Sequence, residues 1–112
     1  MTPRVFILTL PELDVSKASE FGDIIYIYAR RSDIPSPLTS RFAADVVRRL
    51  LNQSFSPGHD FFVVTGGLTF IAAAVAAVVA EYGEIRTLCW DSLETERRYK
   101  EVRMGSRHYA SH

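Results

Sequence analysis

Phe61-Phe62-Val63-Val64 runs straight into Thr65-Gly66-Gly67 and then into residues 68–80, thirteen positions without a charge. A short run of aromatic and β-branched residues reads as a buried strand, and the alanine-rich stretch after it reads as a helix. Glycines at the junction let the backbone reverse tightly. A strand feeding directly into a helix is half of a βαβ unit, which points to an α/β fold. Thirteen residues fall short of the roughly 20 needed to cross a bilayer, so this is a helix to be buried in protein. A surface helix would carry a polar stripe, and this one has none in its middle. One side can pack on a sheet, but a chain of 112 residues has little left to cover the other. Ala72, Ala73, Ala74, Ala76, Ala77 and Ala80 permit close backbone approach. A homodimer related by a two-fold axis across helix 68–80 is therefore expected.

The rest of the chain supplies the partners for that unit. Residues 5–10 form a compact apolar run ending at Pro11, the first strand. Residues 14–21 suit a short helix capped by Asp14 and stopped by Gly22. Residues 23–29 are rich in isoleucine and tyrosine and read as a second strand. Ser36-Pro37 is a helix start, and Ala43, Val46, Val47, Leu50 and Leu51 then recur at helical spacing. Arg41, Asp45, Arg48, Arg49 and Asn52 fall on the opposite, solvent side, and Ser56-Pro57-Gly58 turns the chain out. Residues 61–64 are the third strand, Tyr82-Gly83 ends the long helix, and residues 85–90 are the fourth strand. Residues 98–104 alternate and read as an edge strand returning as a hairpin. The expected architecture is one small Rossmann-like, three-layer α/β domain over residues 1–104. Its sheet is mostly parallel in the order 2-1-3-4, with an antiparallel C-terminal edge strand. Residues 105–112 lack periodicity and read as a disordered tail or a cloning remnant.

Composition narrows the function. Thirteen basic residues balance thirteen acidic ones, which argues against a partner such as duplex DNA or a membrane surface and leaves only a local anion site. Cys89 is the sole cysteine and lies in an apolar run, so it reads as a buried strand residue of a protein in a reducing, cytoplasmic compartment. The N-terminus lacks the pattern of a signal peptide. His59 sits in a turn, while His108 and His112 lie in the tail. No metal-ligand spacing and no Walker-type Gly-Lys-Ser/Thr occurs, so neither a metal nor another cofactor is expected.

In a parallel sheet, ligands bind beyond the carboxyl ends of the strands. Those ends carry Leu10, Arg30 and Arg31, Thr65 to Thr69, and Trp90 with Asp91. Backbone amides at Gly66, Gly67 and Leu68 would meet an anion at the start of a helix, where the unpaired N–H groups and the dipole favour negative charge. Thr65 and Thr69 add hydroxyls. Arg30 and Arg31 would supply positive charge, or else form solvated surface, as Arg48 and Arg49 are expected to do. Asp91 would accept a ribose hydroxyl or open the hairpin turn. The glycines on their own also suit a plain tight turn.

The segment Phe61-Phe62-Val63-Val64-Thr65-Gly66-Gly67-Leu68-Thr69 with its alanine-rich helix resembles CRISPR-associated Rossmann-fold domains. So does the passage from Leu88-Cys89-Trp90-Asp91 to Arg98-Tyr99-Lys100. The resemblance covers residues 61–104. It departs from the family where Leu68 and Thr69 replace a threonine and a lysine. It implies a dimer that binds a cyclic oligoadenylate at its two-fold axis, to sequester or cleave it in antiviral defence. Cleavage would proceed by substrate-assisted attack of a ribose hydroxyl without a metal, and the sequence shows no general base for it. The alternative is a small non-catalytic interaction protein, viral in origin, that dimerises through the same helix.

Overall fold

The computed structural model describes residues 2–9, 16–63, 67–91 and 98–105. Five strands form one sheet: β1 (Arg4–Ile7), β2 (Asp23–Tyr26), β3 (Phe61–Val63), β4 (Glu84–Asp91) and β5 (Arg98–Gly105). Their order is β2-β1-β3-β4-β5. The first four are mutually parallel, and β5 lies antiparallel to β4 along its whole length. This is the expected order. Val5 stands between Ile24 and Phe61, and Thr87 between Phe62 and Val102.

Alternation along the strands divides the core in two. Phe6, Leu8, Phe62 and Ile85 point to the face covered by α1 (Ser40–Asn52) and α2 (Leu68–Tyr82). There they meet Phe42, Val46 and Leu50 of α1 and Ala74 and Val78 of α2. Each such large side chain stabilises the fold by about 1.5–3 kcal/mol when wholly buried. Val5, Ile7, Phe61, Val63, Leu88 and Tyr99 point to the other face, where Ala18 covers them from a 3₁₀ turn, Ser16–Phe21. Helical cover on both faces is what a buried parallel sheet requires.

Several boundaries differ from the pattern in the sequence. The first strand ends at Ile7 and the second at Tyr26, although the amides of Ile27 and Tyr28 go on to donate to Ile7 and Leu8 at 2.8 Å each. Ser36 and Pro37 do not start α1. Thr39 donates through both its amide (3.1 Å) and its hydroxyl (2.9 Å) to the Ser36 carbonyl, closing a separate turn before Ser40. The helix expected over 14–21 is the shorter 3₁₀ turn, and Asp14 lies outside the described residues. α2 stops as anticipated: Gly83 takes φ 82°, the left-handed cap that favours glycine, and its amide donates to Val79 at 2.8 Å. β5 runs one residue past the expected domain end, to Gly105.

Two arginines bolt the amino edge of the sheet. Asp60, only 2% exposed, accepts the Arg4 amide at 3.1 Å, the Ser56 amide at 2.8 Å and the Arg4 guanidinium at 3.1 Å. Arg86 donates to Glu101 and to the Gly58 carbonyl while its guanidinium lies 4.2 Å from the Phe61 ring centre. Those hydrogen bonds hold the Glu101 carboxyl below its ordinary range. The carboxyl edge is left to the loops.

Candidate functional site

β1 connects to β2 on one side of the sheet, and β3 connects to β4 on the other. The direction of winding therefore reverses between β1 and β3. In sheets with such a reversal, adjacent loops diverge and leave a crevice beyond the carboxyl ends, the usual ligand position. The chain leaves β1 toward Leu10 and leaves β3 toward Thr65 and Gly66; these three site residues lie outside the described residues. Gly67 is the N-cap of α2, with φ −66° and ψ 144°. That conformation is open to any residue, and a Cβ there would meet only Phe70 Cδ2 at 3.6 Å, an ordinary contact. Glycine brings no side chain to cap the helix from that position. Leu68 and Thr69, its first two residues, are exposed.

Arg31 comes to the same place. It belongs to a 3₁₀ turn, Arg31–Asp33, just past β2, and its guanidinium lies 5.9 Å from the ring centre of Phe70 in the first turn of α2. Phe70 in turn packs edge-on against Phe42 of α1, at 5.8 Å. Phe70 is not among the residues that the strand ends mark. It follows Gly67 by one helical turn, and that spacing is the signal that marks it. The neighbouring Arg30 turns away to Asp33 at 3.5 Å.

Trp90 and Asp91 end β4, one strand beyond the crevice. Asp91 is the last residue of β4, opposite Arg98, and pairs with Lys100 at 3.0 Å; the hairpin loop after it lies outside the described residues. Trp90 packs edge-on to Tyr99 at 5.0 Å, with the Lys17 ammonium 5.6 Å from its ring centre. Cys89 is half-buried, its sulfur 3.7 Å from the Thr87 hydroxyl. The structure thus brings Arg31 to Phe70, one turn past Gly67, while Arg30 pairs with Asp33, Trp90 packs on Tyr99 and Asp91 pairs with Lys100. Among the described residues no group of histidine, cysteine and carboxylate side chains is arranged to hold a metal ion. No described helix is long and apolar enough to cross a membrane.

The pair Arg48-Arg49 is not plain surface. Asp45 accepts the Tyr28 hydroxyl at 2.6 Å, Arg49 Nε at 2.9 Å and the Arg48 guanidinium. Arg49 also lies over the Tyr28 ring at 4.2 Å and donates to the Ile27 carbonyl. This cluster clamps the exit of β2, and with it the start of the Arg31 turn, to α1. Burial opposes ionisation of Asp45, but the hydrogen bonds from Tyr28, Arg48 and Arg49 outweigh it and lower its pKa from 3.8 to about 2. Burial, and then the bond to Asp45, push the Tyr28 hydroxyl well above its usual range. A depressed carboxylate contributes stability that is present above its unfolded pKa and is lost as the pH falls through the folded one. Stability is therefore expected to fall between about pH 4 and pH 2, by about 2 kcal/mol from this residue. Urea midpoints of the wild type and Asp45→Asn should differ at pH 7 and converge toward pH 2. A difference that persists unchanged at pH 2 would show that the cluster does not act through this charge.

Amide donors at a helix start whose N-cap is glycine, with an arginine over the first turn, are suited to an anion. No curated protein and no solved structure matches this chain. One family model does, over residues 3–105, a span that takes in every strand and both long helices, and by that match the chain belongs to the phage Pam3 gp32-like proteins.

Proposed function

We propose that this Rossmann-like domain binds a nucleotide in the crevice between β1 and β3, with a phosphate on the first turn of α2. One observation carries the reading: Arg31 lies 5.9 Å from the ring centre of Phe70, in the first turn of the helix whose N-cap is Gly67. Phosphate would take the amides and the helix dipole, and Arg31 would neutralise it. In its sharpest form the ligand is a cyclic oligoadenylate, bound by a phage protein so as to withdraw it from antiviral signalling. Sequestration needs no catalytic group.

Calorimetric titration with mononucleotides, dinucleotides and cyclic oligoadenylates tests this. Saturable binding is expected in the wild type, weakened at least tenfold in Arg31→Ala. Gly67→Asp makes the sharper variant. Its carboxylate can cap α2 and should raise stability by about 0.5–1 kcal/mol, while occupying the amides and repelling an anion. A better-folded protein that no longer binds would separate a ligand site from a structural turn. No nucleotide binding by the folded wild type, or equal affinity in both variants, would overturn the proposal. The membership in a phage family also favours a second reading, a small interaction protein for which this turn is only a turn. That reading predicts normal partner binding by both variants.

A further inference from the structure

β5 is the last strand of the sheet. β4 pairs with it along its whole length, and no described strand lies on its other side. One hydrogen bond shows which backbone groups face that open side. The Thr87 hydroxyl donates to the Val102 carbonyl at 2.7 Å, so that carbonyl points toward β4. In an antiparallel pair, successive residues turn their backbone groups to opposite sides. The N–H and C=O groups of Glu101 and Arg103 therefore point outward, away from β4. Glu101, Val102 and Arg103 are all exposed. Such an edge is a template for another strand, and the charges along it decide what can pair there.

We propose that this edge pairs antiparallel with β5 of a second copy, about a two-fold axis through Val102 that joins the two sheets into one. The sequence of β5 selects the register. An axis perpendicular to the sheet sets residue i opposite residue j, and j opposite i. Centred on Val102, it sets Glu101 against Arg103 at two symmetric places, both of them hydrogen-bonded pairs, with Val102 against Val102 between them. Centred on Lys100, Glu101 or Arg103, it would set like charges face to face. Centred on Tyr99 it would oppose Arg98 to Lys100, and centred on Met104 only residues 103–105 would overlap. The side chains suit the pairing as well. Glu101 Oε1 accepts from Arg86, while Oε2 accepts from Arg103 Nε at 2.9 Å and keeps a second lone pair for Arg103 of the other copy. The Arg103 side chain is 52% exposed and lies on the same face as Glu101. A foreign peptide would meet the same backbone groups, but the match of Glu101 to Arg103 belongs to this chain.

Sedimentation equilibrium of the full chain, up to about 100 µM, tests this. The wild type should show twice the 12.6-kDa chain mass. Arg103→Glu opposes carboxylates at both places and should weaken dimerisation at least tenfold; Glu101→Lys should do the same with cations. An equimolar mixture of these two variants restores opposite charges at both places and should dimerise as the wild type does. Arg103→Pro removes an outward N–H while sparing the ladder to β4, and should also be monomeric. Circular dichroism and melting establish that each variant is folded, and Ala76→Arg, on the exposed side of α2, is the control. A wild type that stays monomeric throughout would overturn the proposal. So would a dimer that survives in folded Arg103→Glu and Arg103→Pro, or a mixture of folded variants that stays monomeric. A dimer lost only in Ala76→Arg would place the interface on α2 and overturn it too.

Discussion

Replacing Asp60 by alanine is expected to lower stability by about 3–5 kcal/mol, a large share of the 5–15 kcal/mol typical of a domain. The carboxylate is almost wholly buried and accepts two backbone amides and a guanidinium. Without it the amides of Arg4 and Ser56 lose their acceptor, at about 1–3 kcal/mol for each that stays buried and unpaired. Arg4 cannot simply swing away, because its guanidinium is also held by the carbonyls of Gln53 and Ser54. The contact joins β1 to the turn before β3, the central pair of the sheet. Thermal melting should show a fall of about 15 °C. Asp60→Asn keeps an acceptor and should lose less. A loss below about 1 kcal/mol in Asp60→Ala would show that the buried pair contributes no net stability.

Gly22→Ala should cost about 3 kcal/mol or more, because the new methyl has nowhere to go. Gly22 has φ 157°, and a Cβ there would stand 2.1 Å from the Pro3 carbonyl oxygen and 2.6 Å from its carbon. These are backbone atoms, and the Asp23 amide holds that oxygen at 3.1 Å where the pairing of β1 with β2 begins. Gly83→Ala is the control. It also lies at positive φ, 82°, but an added Cβ meets nothing within 4 Å, so only the conformational cost of about 1–2 kcal/mol applies. Equal losses in the two variants would rule out the close approach as the cause.

How far each feature was legible depends on the distance over which it is decided. α2 and its stop at Gly83 were readable because alanine preference and a left-handed cap act within one or two turns. The strands and their order followed from apolar runs alternating with helices, which limit a short chain to a few topologies. The start of α1 was misplaced, since serine and proline at 36 and 37 satisfy a turn as well as a helix. Gly22 announced only the end of a helix; its tight contact belongs to Pro3, across the sheet. Of the candidate site, the sequence alone marks Leu10, Thr65 to Thr69, Trp90 and Asp91, and it does not separate Arg30 from Arg31. Their different neighbours, Asp33 for one and Phe70 for the other, come from the fold.

By itself, then, the sequence determined the elements, their alternation and the uncharged helix, because hydrogen bonds and periodic apolar contacts within a segment suffice for those. Only the tertiary structure decided that Asp60 meets Arg4, that Arg49 folds over Tyr28 and that Arg31 reaches the start of α2. Buried charges and anion sites depend on which groups face each other across a sheet or a helix interface. Residues 56 positions apart, as Arg4 and Asp60 are, become neighbours only when the whole chain has packed.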